Sequence, residues 1–402
     1  MKRTLPVLTE HRPLAPAVRP IDRACRPIYA VWELTLRCDL ACRHCGSRAG
    51  HARRDELSTK DALELVDALH ALGVREVTLI GGEAYLREDW LDVVAAIHSH
   101  EMRCSIVTGG RAVDMALATS ARAAGLDGAS LSIDGLAAAH DELRGVRGCW
   151  EHVVRAASHF RSAGVPVSIN TQVNRGSAAD LEALLDVIVN LGAHAWQLAL
   201  TVPMGRAADD PSRMLQPFEL DHVYPLIASL ALRARSRGVR LVRGNNLGYF
   251  GPHEADFLMD GAIEITAGCA AGREVIGIEA DGTIKGCPSL ATDAWAAGSV
   301  RSHALLDLWE RASALRRLRD DRRTAARGFC ASCYYAQECG GGCTWMAHSL
   351  FGAMGDNPYC HHRVLDLKAR GLRERVERTH APPGRPFDRG MFRLVVEPWE
   401  AV

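Results

Sequence analysis

The sequence predicts an α/β protein in which a partial (β/α)6 barrel of the TIM type precedes a C-terminal cysteine-rich domain. Between residue 29 and about residue 200, strand-like apolar runs alternate with stretches of helical spacing. Repeated strand–helix units imply a parallel sheet, and six of them imply a partial barrel rather than a closed eight-fold one. The second observation is that the last third of the 402-residue chain is rich in cysteine and glycine.

Each barrel element has a local sequence signal. The strand-like runs cover residues 29–36, 77–80, 104–108, 129–133, 165–169 and 195–200. Helical spacing covers residues 59–72, 89–100, 112–124, 150–163, 177–191 and 216–237. In the first of these helices, Ser58 or Thr59 is a suitable N-cap and Gly73 a suitable C-terminal stop. Active sites of such barrels collect at the carboxyl ends of the strands, so we expect the functional residues there.

The periodic pattern breaks in a Gly- and Asn-rich segment at residues 244–251, which predicts a domain boundary. The region after it lacks long periodic segments, and we expect metal binding to compensate for its thin core. The predicted organisation is an N-terminal tail at 1–28, the barrel at 29–250, the cysteine-rich domain at 251–365, and a C-terminal helix and tail at 366–402.

Composition excludes several classes of protein. The formal net charge is +0 and no long basic run occurs, which argues against a nucleic-acid-binding surface. The sequence contains no continuous apolar run long enough to span a membrane, and its N-terminus lacks the apolar core of a signal peptide. Thirteen cysteines without an export signal favour metal ligation over disulfides. We therefore expect a cytoplasmic metalloprotein.

Three cysteines follow the first strand in the spacing C-x3-C-x2-C: Cys38, Cys42 and Cys45. Three thiolates on one loop can hold three irons of a 4Fe–4S cluster and leave the fourth iron open to a second molecule. The alternatives are a zinc loop or three buried free thiols. Zinc sites usually take four ligands in two pairs, and no second pair closely follows Cys45.

This loop resembles the signature of the radical S-adenosylmethionine (SAM) enzymes, with His44 at a position that is usually aromatic. One strand–helix unit later, Gly81, Gly82 and Glu83 resemble the GGE motif, which implies that they hold the SAM amino group. A glycine lets the backbone approach a ligand closely, and a carboxylate accepts a charge-assisted hydrogen bond from an ammonium group.

The resemblance also implies contacts with SAM at later strand ends. Ser132 and Asp134, at the end of the fourth strand, correspond to a region that holds the SAM ribose and carboxylate. The alternative for Asp134 is an ordinary Asx turn. Asn170, at the end of the fifth strand, is a similar candidate. At the third strand end, Thr108-Gly-Gly110 resembles the TNG-type turn of the family with its Asn replaced by Gly, which leaves open any side-chain contact there.

The mechanism that the resemblance implies is reductive. One electron from the cluster cleaves SAM into methionine and a 5′-deoxyadenosyl radical, and the radical removes a hydrogen atom from the substrate. The protein then contributes binding, orientation and exclusion of water.

Seven cysteines of the C-terminal region resemble the SPASM domain, which carries auxiliary 4Fe–4S clusters; a zinc ribbon is the alternative. The resemblance implies that auxiliary cluster I uses Cys269, Cys287 and Cys343. It implies that auxiliary cluster II uses Cys330, Cys333, Cys339 and Cys360. With the loop cluster this makes three clusters. The fourth ligand of cluster I is open, with Glu264 as a candidate.

Radical SAM enzymes with SPASM domains mostly modify peptides or proteins, so the resemblance implies a bacterial maturase of a ribosomally made precursor peptide. Only about 28 residues precede the first strand, so we expect a separate leader-binding protein; tight binding of the precursor to this chain alone would contradict that. A flavodoxin or ferredoxin is the expected reductant.

Two other functions are compatible with the sequence. One is an activator that oxidises a side chain of a folded enzyme, as sulfatase maturases do. The other is a non-catalytic iron–sulfur electron carrier, against which Glu83 and the open-iron spacing argue. A precursor-peptide gene beside this one would favour the peptide maturase over the activator, and SAM turnover would exclude the carrier.

Overall fold

A computed structural model describes residues 13–244, 247, 250–257, 268–320 and 322–400. The strands of the main sheet are β1 Tyr29–Thr35, β2 Glu76–Gly81, β3 Arg103–Thr108, β4 Gly128–Ser132, β5 Val167–Val173, β6 Ala195–Leu200, β7 Arg240–Arg243, β8 Val275–Ile278, β9 Thr283–Lys285 and β10 Gly298–Ser299. A second, two-stranded sheet contains β11 Leu372–His380 and β12 Met391–Pro398.

The α-helices are α1 Pro20–Ala24, α2 Thr59–Leu72, α3 Trp90–Ser99, α4 Met115–Ala124, α5 Ala137–Arg144, α6 Cys149–Ser162, α7 Arg175–Ala178, α8 Leu181–Asn190, α9 Leu220–Ser236, α10 Thr292–Trp295, α11 Leu305–Arg311, α12 Ser313–Arg319, α13 Gly328–Ala331, α14 Ala336–Cys339, α15 Thr344–Phe351 and α16 His361–Ala369. Short 3-10 helices cover Ala84–Leu86, Gly205–Ala208, Pro211–Arg213, Pro217–Glu219, Glu254–Phe257 and Arg322–Ala325. Within the described ranges, no helix combines the length and the apolar character needed to cross a membrane.

The main sheet has the order β10-β9-β8-β1-β2-β3-β4-β5-β6-β7, and β8 and β1 to β7 are parallel. The predicted α/β class and the six alternating strand–helix units are confirmed. The helix predicted at 59–72 begins and ends as expected, because Ser58 accepts a hydrogen bond from the Asp61 amide and Gly73 adopts a φ of 100°. Buried apolar residues between the sheet and its helices form one continuous core.

Two parallel strands extend the sheet beyond the six predicted ones. β7 follows α9 and pairs with β6, although its four residues begin and end with arginine and give little strand signal. β8 comes from the cysteine-rich region and pairs with β1 at the opposite side. The predicted barrel and cysteine-rich domain therefore share one sheet, and the boundary near residue 250 stays a prediction.

Helix α5 was also not predicted, and its inward face carries His140 and Arg144 besides Leu143. Because two of these three buried side chains are polar, the apolar period of a helix is hidden. This helix matters for the site, since the carbonyls of Leu143 and Arg144 accept hydrogen bonds from the amides of Arg43 and Ala41 in the cysteine loop.

Both ends of the chain are more structured than predicted. The tail predicted at 366–402 is wrong over much of its length, because β11 and β12 form an antiparallel hairpin. Charged side chains of the two strands pair across the sheet, as in the 2.8 Å pair of Arg375 with Glu397. At the N-terminus, Asp22 is fully buried and pairs with Arg316 at 3.1 Å and with Arg319 at 3.3 Å. Residues 13–28 are therefore packed rather than a free tail.

A network of buried ion pairs joins the cysteine-rich region to the barrel. Lys285 has no exposed surface, and its ammonium lies 2.7 Å from Glu279 and 3.9 Å above the ring of Phe387. Arg53 of the barrel bridges Glu279 at 3.1 Å and Glu33 at 3.0 Å. Buried charges of this kind are stable only when every member keeps its partner.

Lys285→Met should lower the free energy of unfolding by about 3–5 kcal/mol, because it leaves the buried Glu279 carboxylate with one cation fewer. The measurement is the urea midpoint of the iron-loaded protein, followed by tryptophan fluorescence. Lys60→Met is the matched control, since the side chain of Lys60 is 84% exposed and its 3.7 Å pair with Glu64 is a surface pair. Equal midpoints for the two variants would contradict this account.

Candidate functional site

The loop between β1 and α2 carries Cys38, Cys42 and Cys45 at the carboxyl end of the first strand, as predicted. Cys42 is 8% exposed and packs with Leu40 and Cys149, while Cys38 and Cys45 are partly buried against the same cluster. Cys149 itself has no exposed surface, so a substrate cannot reach its thiol directly. The structure therefore brings the three predicted ligand thiols together.

Arg206, in the 3-10 helix after β6, holds this loop in shape. Its Nε donates to the carbonyl of Cys42 at 2.7 Å, and its Nη2 donates to the carbonyl of Ala49 at 3.0 Å. Its backbone amide donates to the carbonyl of Cys45 at 3.0 Å. A single arginine thus bonds to three carbonyls of the cysteine loop. Arg206 was not predicted from the sequence, although its position shortly after a barrel strand is a signal.

Gly81 and Gly82 let the end of β2 pass directly under the cysteine loop. A Cβ on Gly82 would lie 2.1 Å from the carbonyl oxygen of Arg37 and 2.7 Å from the Cβ of Cys38. A Cβ on Gly81, whose φ is 151°, would lie 2.1 Å from the carbonyl oxygen of Thr35. Within the protein, Gly81 thus permits a close approach to the end of β1 and Gly82 a close approach to the cysteine loop.

The Glu83 carboxylate is 2% exposed and lies beside the first cysteine of the loop. Its Oε1 accepts a 2.7 Å hydrogen bond from the Gly109 amide, and its Oε2 accepts one from the Thr108 hydroxyl. A carboxylate oxygen of Glu83, the Cys38 Sγ and a carboxylate oxygen of Asp39 lie within 4.8 Å of one another. Burial raises the pKa of Glu83 to about 7, so a cation would stabilise its charged form.

The Thr108-Gly-Gly110 turn holds the Glu83 carboxylate in place. A Cβ on Gly109 would lie 2.2 Å from Cδ1 of Leu40 and 3.0 Å from Oε1 of Glu83. A side chain at position 109 would therefore require Leu40 to move, and Thr108 and the Gly109 amide bind Glu83 instead. A contact of this turn with SAM stays a prediction.

Asp134 is 1% exposed, and its carboxylate already has cationic and polar partners. Its Oδ2 pairs with Arg144 at 2.5 Å and lies 3.4 Å from Nε2 of His44, while its Oδ1 accepts a 2.7 Å hydrogen bond from the backbone amide of Gln172. Burial opposes ionisation, but the Arg144 guanidinium, the His44 and His140 rings and the backbone amide of Gln172 together outweigh it and lower the pKa of Asp134 below its usual range. A direct contact of Asp134 with SAM stays a prediction.

Ser132 and Asn170 are register partners on β4 and β5, and Asn170 is the register partner of Gln197 on β6. Register partners of parallel strands share a face, as do residues two apart on one strand. Gln172 therefore lies on the same face. Ser132 is 8% exposed, Asn170 and Gln172 are half-buried, and Gln197 is exposed. This face carries hydroxyl and amide groups.

The cysteines predicted for auxiliary cluster I gather at one place. Cys343 is 2% exposed and Cys287 is 9% exposed, whereas Cys269 is partly buried. Burial and then the neighbouring Cys269 thiol raise the pKa of Cys287 to about 11, and the same two causes raise the pKa of Cys343. The alternative ligand Glu264 lies outside the described residues.

The four cysteines predicted for auxiliary cluster II line a single pocket. Aromatic side chains complete its wall, with Phe250 and Tyr335 stacked at 4.6 Å between ring centroids. The cysteines that line it are Cys330, Cys333, Cys339 and Cys360. Burial raises the pKa of Cys360 to about 12, and a positively charged metal would reverse that effect.

Comparison with known proteins agrees with this geometry. Residues 32–188 match the radical SAM superfamily, and residues 269–334 match SPASM, an iron–sulfur cluster-binding domain. The chain is 31% identical over 353 residues to an AdoMet-dependent heme synthase of Oleidesulfovibrio alaskensis, covering 85% of this chain and 88% of the relative.

It is also 31% identical over 340 residues to the mycofactocin maturase MftC of Mycobacterium tuberculosis, covering 83% of each chain. Among solved structures, native anSMEcpe with bound AdoMet and Kp18Cys peptide shares the fold with a TM-score of 0.67 at 17% identity, covering 85% of this chain and 95% of that one. The sequence matches and the gathered cysteines lead to one conclusion: the chain belongs to the radical SAM superfamily and carries a SPASM iron–sulfur domain.

Proposed function

We propose that this enzyme is a peptide maturase that takes a hydrogen atom from a ribosomally made precursor peptide. The observation that carries the choice of substrate is the inward face of β5 and β6, where Gln172 and Gln197 present amide groups. Amides donate to and accept from a peptide backbone, which needs both kinds of partner.

Cys38, Cys42 and Cys45 are the proposed ligands of the SAM-binding cluster. The donor set fits, because three thiols share one partly buried loop and a buried carboxylate stands beside the first of them. A cluster with SAM bound supplies the 5′-deoxyadenosyl radical by one-electron reductive cleavage. The chain itself holds the loop through Arg206 and buries Cys42 against Leu40 and Cys149.

Glu83, presented between Gly82 and the Thr108-Gly109 turn, is the proposed partner of the SAM ammonium group. Its two existing hydrogen bonds fix the carboxylate plane and leave lone pairs for a further donor. Ser132 and Asn170 are the proposed contacts for the rest of SAM, since they lie side by side on the inward face.

The seven C-terminal cysteines are the proposed ligands of two auxiliary clusters. The pocket formed by the second set contains four thiols, the number that closes a 4Fe–4S cluster. The first set has three thiols among the described residues, so a ligand from elsewhere is needed to close its cluster. Two protein partners belong to the proposal: a separate leader-binding protein, and a flavodoxin- or ferredoxin-like reductant.

A heme precursor is the second candidate substrate, because one of the 31% identical relatives is named a heme synthase. A carboxylated porphyrin needs cations opposite its carboxylates. The pairs of inward side chains on β5 and β6, namely Ser168 with Ala195, Asn170 with Gln197 and Gln172 with Ala199, contain none. This favours the peptide.

The test compares the two substrates. Enzyme loaded with iron and sulfide is incubated with SAM, dithionite and either a precursor peptide encoded beside its gene or a carboxylated iron porphyrin. We expect peptide-dependent formation of 5′-deoxyadenosine and a changed peptide mass. Turnover of the porphyrin with an unchanged peptide would establish the second candidate instead.

Replacing both Gln172 and Gln197 by alanine should raise KM for the peptide about tenfold, because two hydrogen bonds of roughly 0.5–1.5 kcal/mol each are lost. Initial rates at varied peptide concentration give this value. Asn190→Ala, an exposed amide at the end of α8, is the control. An unchanged KM in the double variant would exclude this face as the peptide site.

A further inference from the structure

A buried guanidinium contacts the sulfur of the second loop cysteine. Nη1 of Arg144 donates a 3.6 Å hydrogen bond to Sγ of Cys42, and its Nη2 pairs with Asp134 at 2.5 Å. The side chains of Arg144 and Asp134 are 10% and 0% exposed. A chain of three buried groups, carboxylate to guanidinium to thiol, therefore ends on a proposed cluster ligand.

The side chains of Arg144 and Asp134 are held in place by several elements of the fold. Arg144 is the last residue of α5, and the backbone carbonyl of the same residue accepts a hydrogen bond from the Ala41 amide of the cysteine loop. Asp134 accepts a hydrogen bond from the backbone amide of Gln172, near the carboxyl end of β5, and lies 3.4 Å from His44 of the loop. The guanidinium is thus aimed at the sulfur by groups from the helix, the sheet and the loop.

The physical effect of each group on a cluster at this site has a definite sign. A hydrogen bond and a positive charge at a ligand sulfur stabilise the reduced cluster, which carries one more negative charge, and so raise its reduction potential. A carboxylate behind the guanidinium offsets that charge and lowers the potential. Because the groups are buried, solvent and salt screen them little.

We propose that Arg144 and Asp134 set the reduction potential of the cluster held by Cys42, Arg144 raising it and Asp134 lowering it. They act through Cys42 and are positioning residues. The inference rests on the proposed ligation at Cys38, Cys42 and Cys45 and is independent of the substrate.

The test is a redox titration of the reconstituted full-length protein with dithionite, followed by electron paramagnetic resonance. The signal absent from a variant with alanine at all three loop cysteines identifies the cluster. Arg144→Gln should decrease the ratio of reduced to oxidised cluster at a fixed potential by about tenfold, which is about 59 mV for one electron. Asp134→Asn should change the ratio in the opposite direction.

Two further variants separate tuning from folding. Arg144→Lys keeps the positive charge but removes the planar guanidinium that contacts both Cys42 and Asp134. The reduction potential of the cluster in this variant should lie between those of wild type and Arg144→Gln. The reduction potential of the Arg144→Lys variant can be measured even if the Asp134→Asn variant fails to load a cluster. Arg43→Gln is the control, because Arg43 belongs to the same loop but its side chain is 52% exposed, and its potential should match wild type.

The outcomes distinguish the inference from its premise. Potentials that are unchanged in Arg144→Gln, or that shift in the same direction in Arg144→Gln and Asp134→Asn, would overturn the inference while leaving the cluster assignment intact. A wild-type protein with no signal dependent on the three loop cysteines would overturn the inference together with the assignment.

Discussion

Replacing Cys38, Cys42 and Cys45 together by alanine should abolish 5′-deoxyadenosine formation and remove about four irons per chain. The expected result follows from the geometry, because the three thiols share one loop and the other predicted ligand cysteines lie in separate groups. Iron and sulfide are counted after anaerobic reconstitution, and the nucleoside is measured by chromatography after addition of SAM and dithionite.

The control for this triple variant is Cys25→Ser, a half-buried thiol outside all three predicted ligand groups. It should keep its iron content and its SAM cleavage. A triple variant that retained wild-type iron or still released 5′-deoxyadenosine would show that another set of residues holds the SAM-binding cluster.

Glu83→Gln should weaken SAM binding about 10- to 100-fold, because hydrogen bonds to charged groups contribute roughly 1.5–3 kcal/mol. Glutamine has the same shape and can still accept the hydrogen bond from the Gly109 amide, so the turn is preserved while the charge opposite the ammonium is lost. Equilibrium binding of SAM to the oxidised, iron-loaded variant measures the effect without turnover.

Glu88→Gln removes an equivalent charge a few residues further on from an exposed position, and its Kd for SAM should match wild type. If the Glu83 and Glu88 variants bound SAM equally well, the buried carboxylate beside Cys38 would have a structural function only.

The barrel was predictable because its inner strands are buried on the helix side and read as apolar runs. β1 to β4 and β6 therefore agree with the sequence pattern, and the capped helix at 59–72 agrees residue by residue. The prediction for the fifth strand was wrong at its end, because β5 continues to Val173 and Asn170 lies inside the strand. β7 and β11 were missed because charged side chains make up half or more of each strand. Their stability comes from pairing with distant residues, such as Arg373 with Glu397 at 2.9 Å, which a local pattern does not encode.

In the functional site too, features that are local in the sequence were predicted and contacts made by distant residues were not. The cysteine spacing and the Gly81-Gly82-Glu83 motif are local in the sequence, and the structure places Glu83 beside Cys38 as expected. Arg144 and Arg206 act on the loop from positions 102 and 164 residues beyond Cys42. No spacing rule connects them to the cysteines, because only the folding of α5 and of the segment after β6 brings them there.

The most direct test of the central claim uses the wild-type chain alone, loaded with iron and sulfide without oxygen and then given SAM and dithionite. The account predicts about twelve irons per chain, for three clusters of four, and dithionite-dependent release of 5′-deoxyadenosine and methionine. Zinc in place of iron, or a fully loaded protein that releases no 5′-deoxyadenosine, would contradict it.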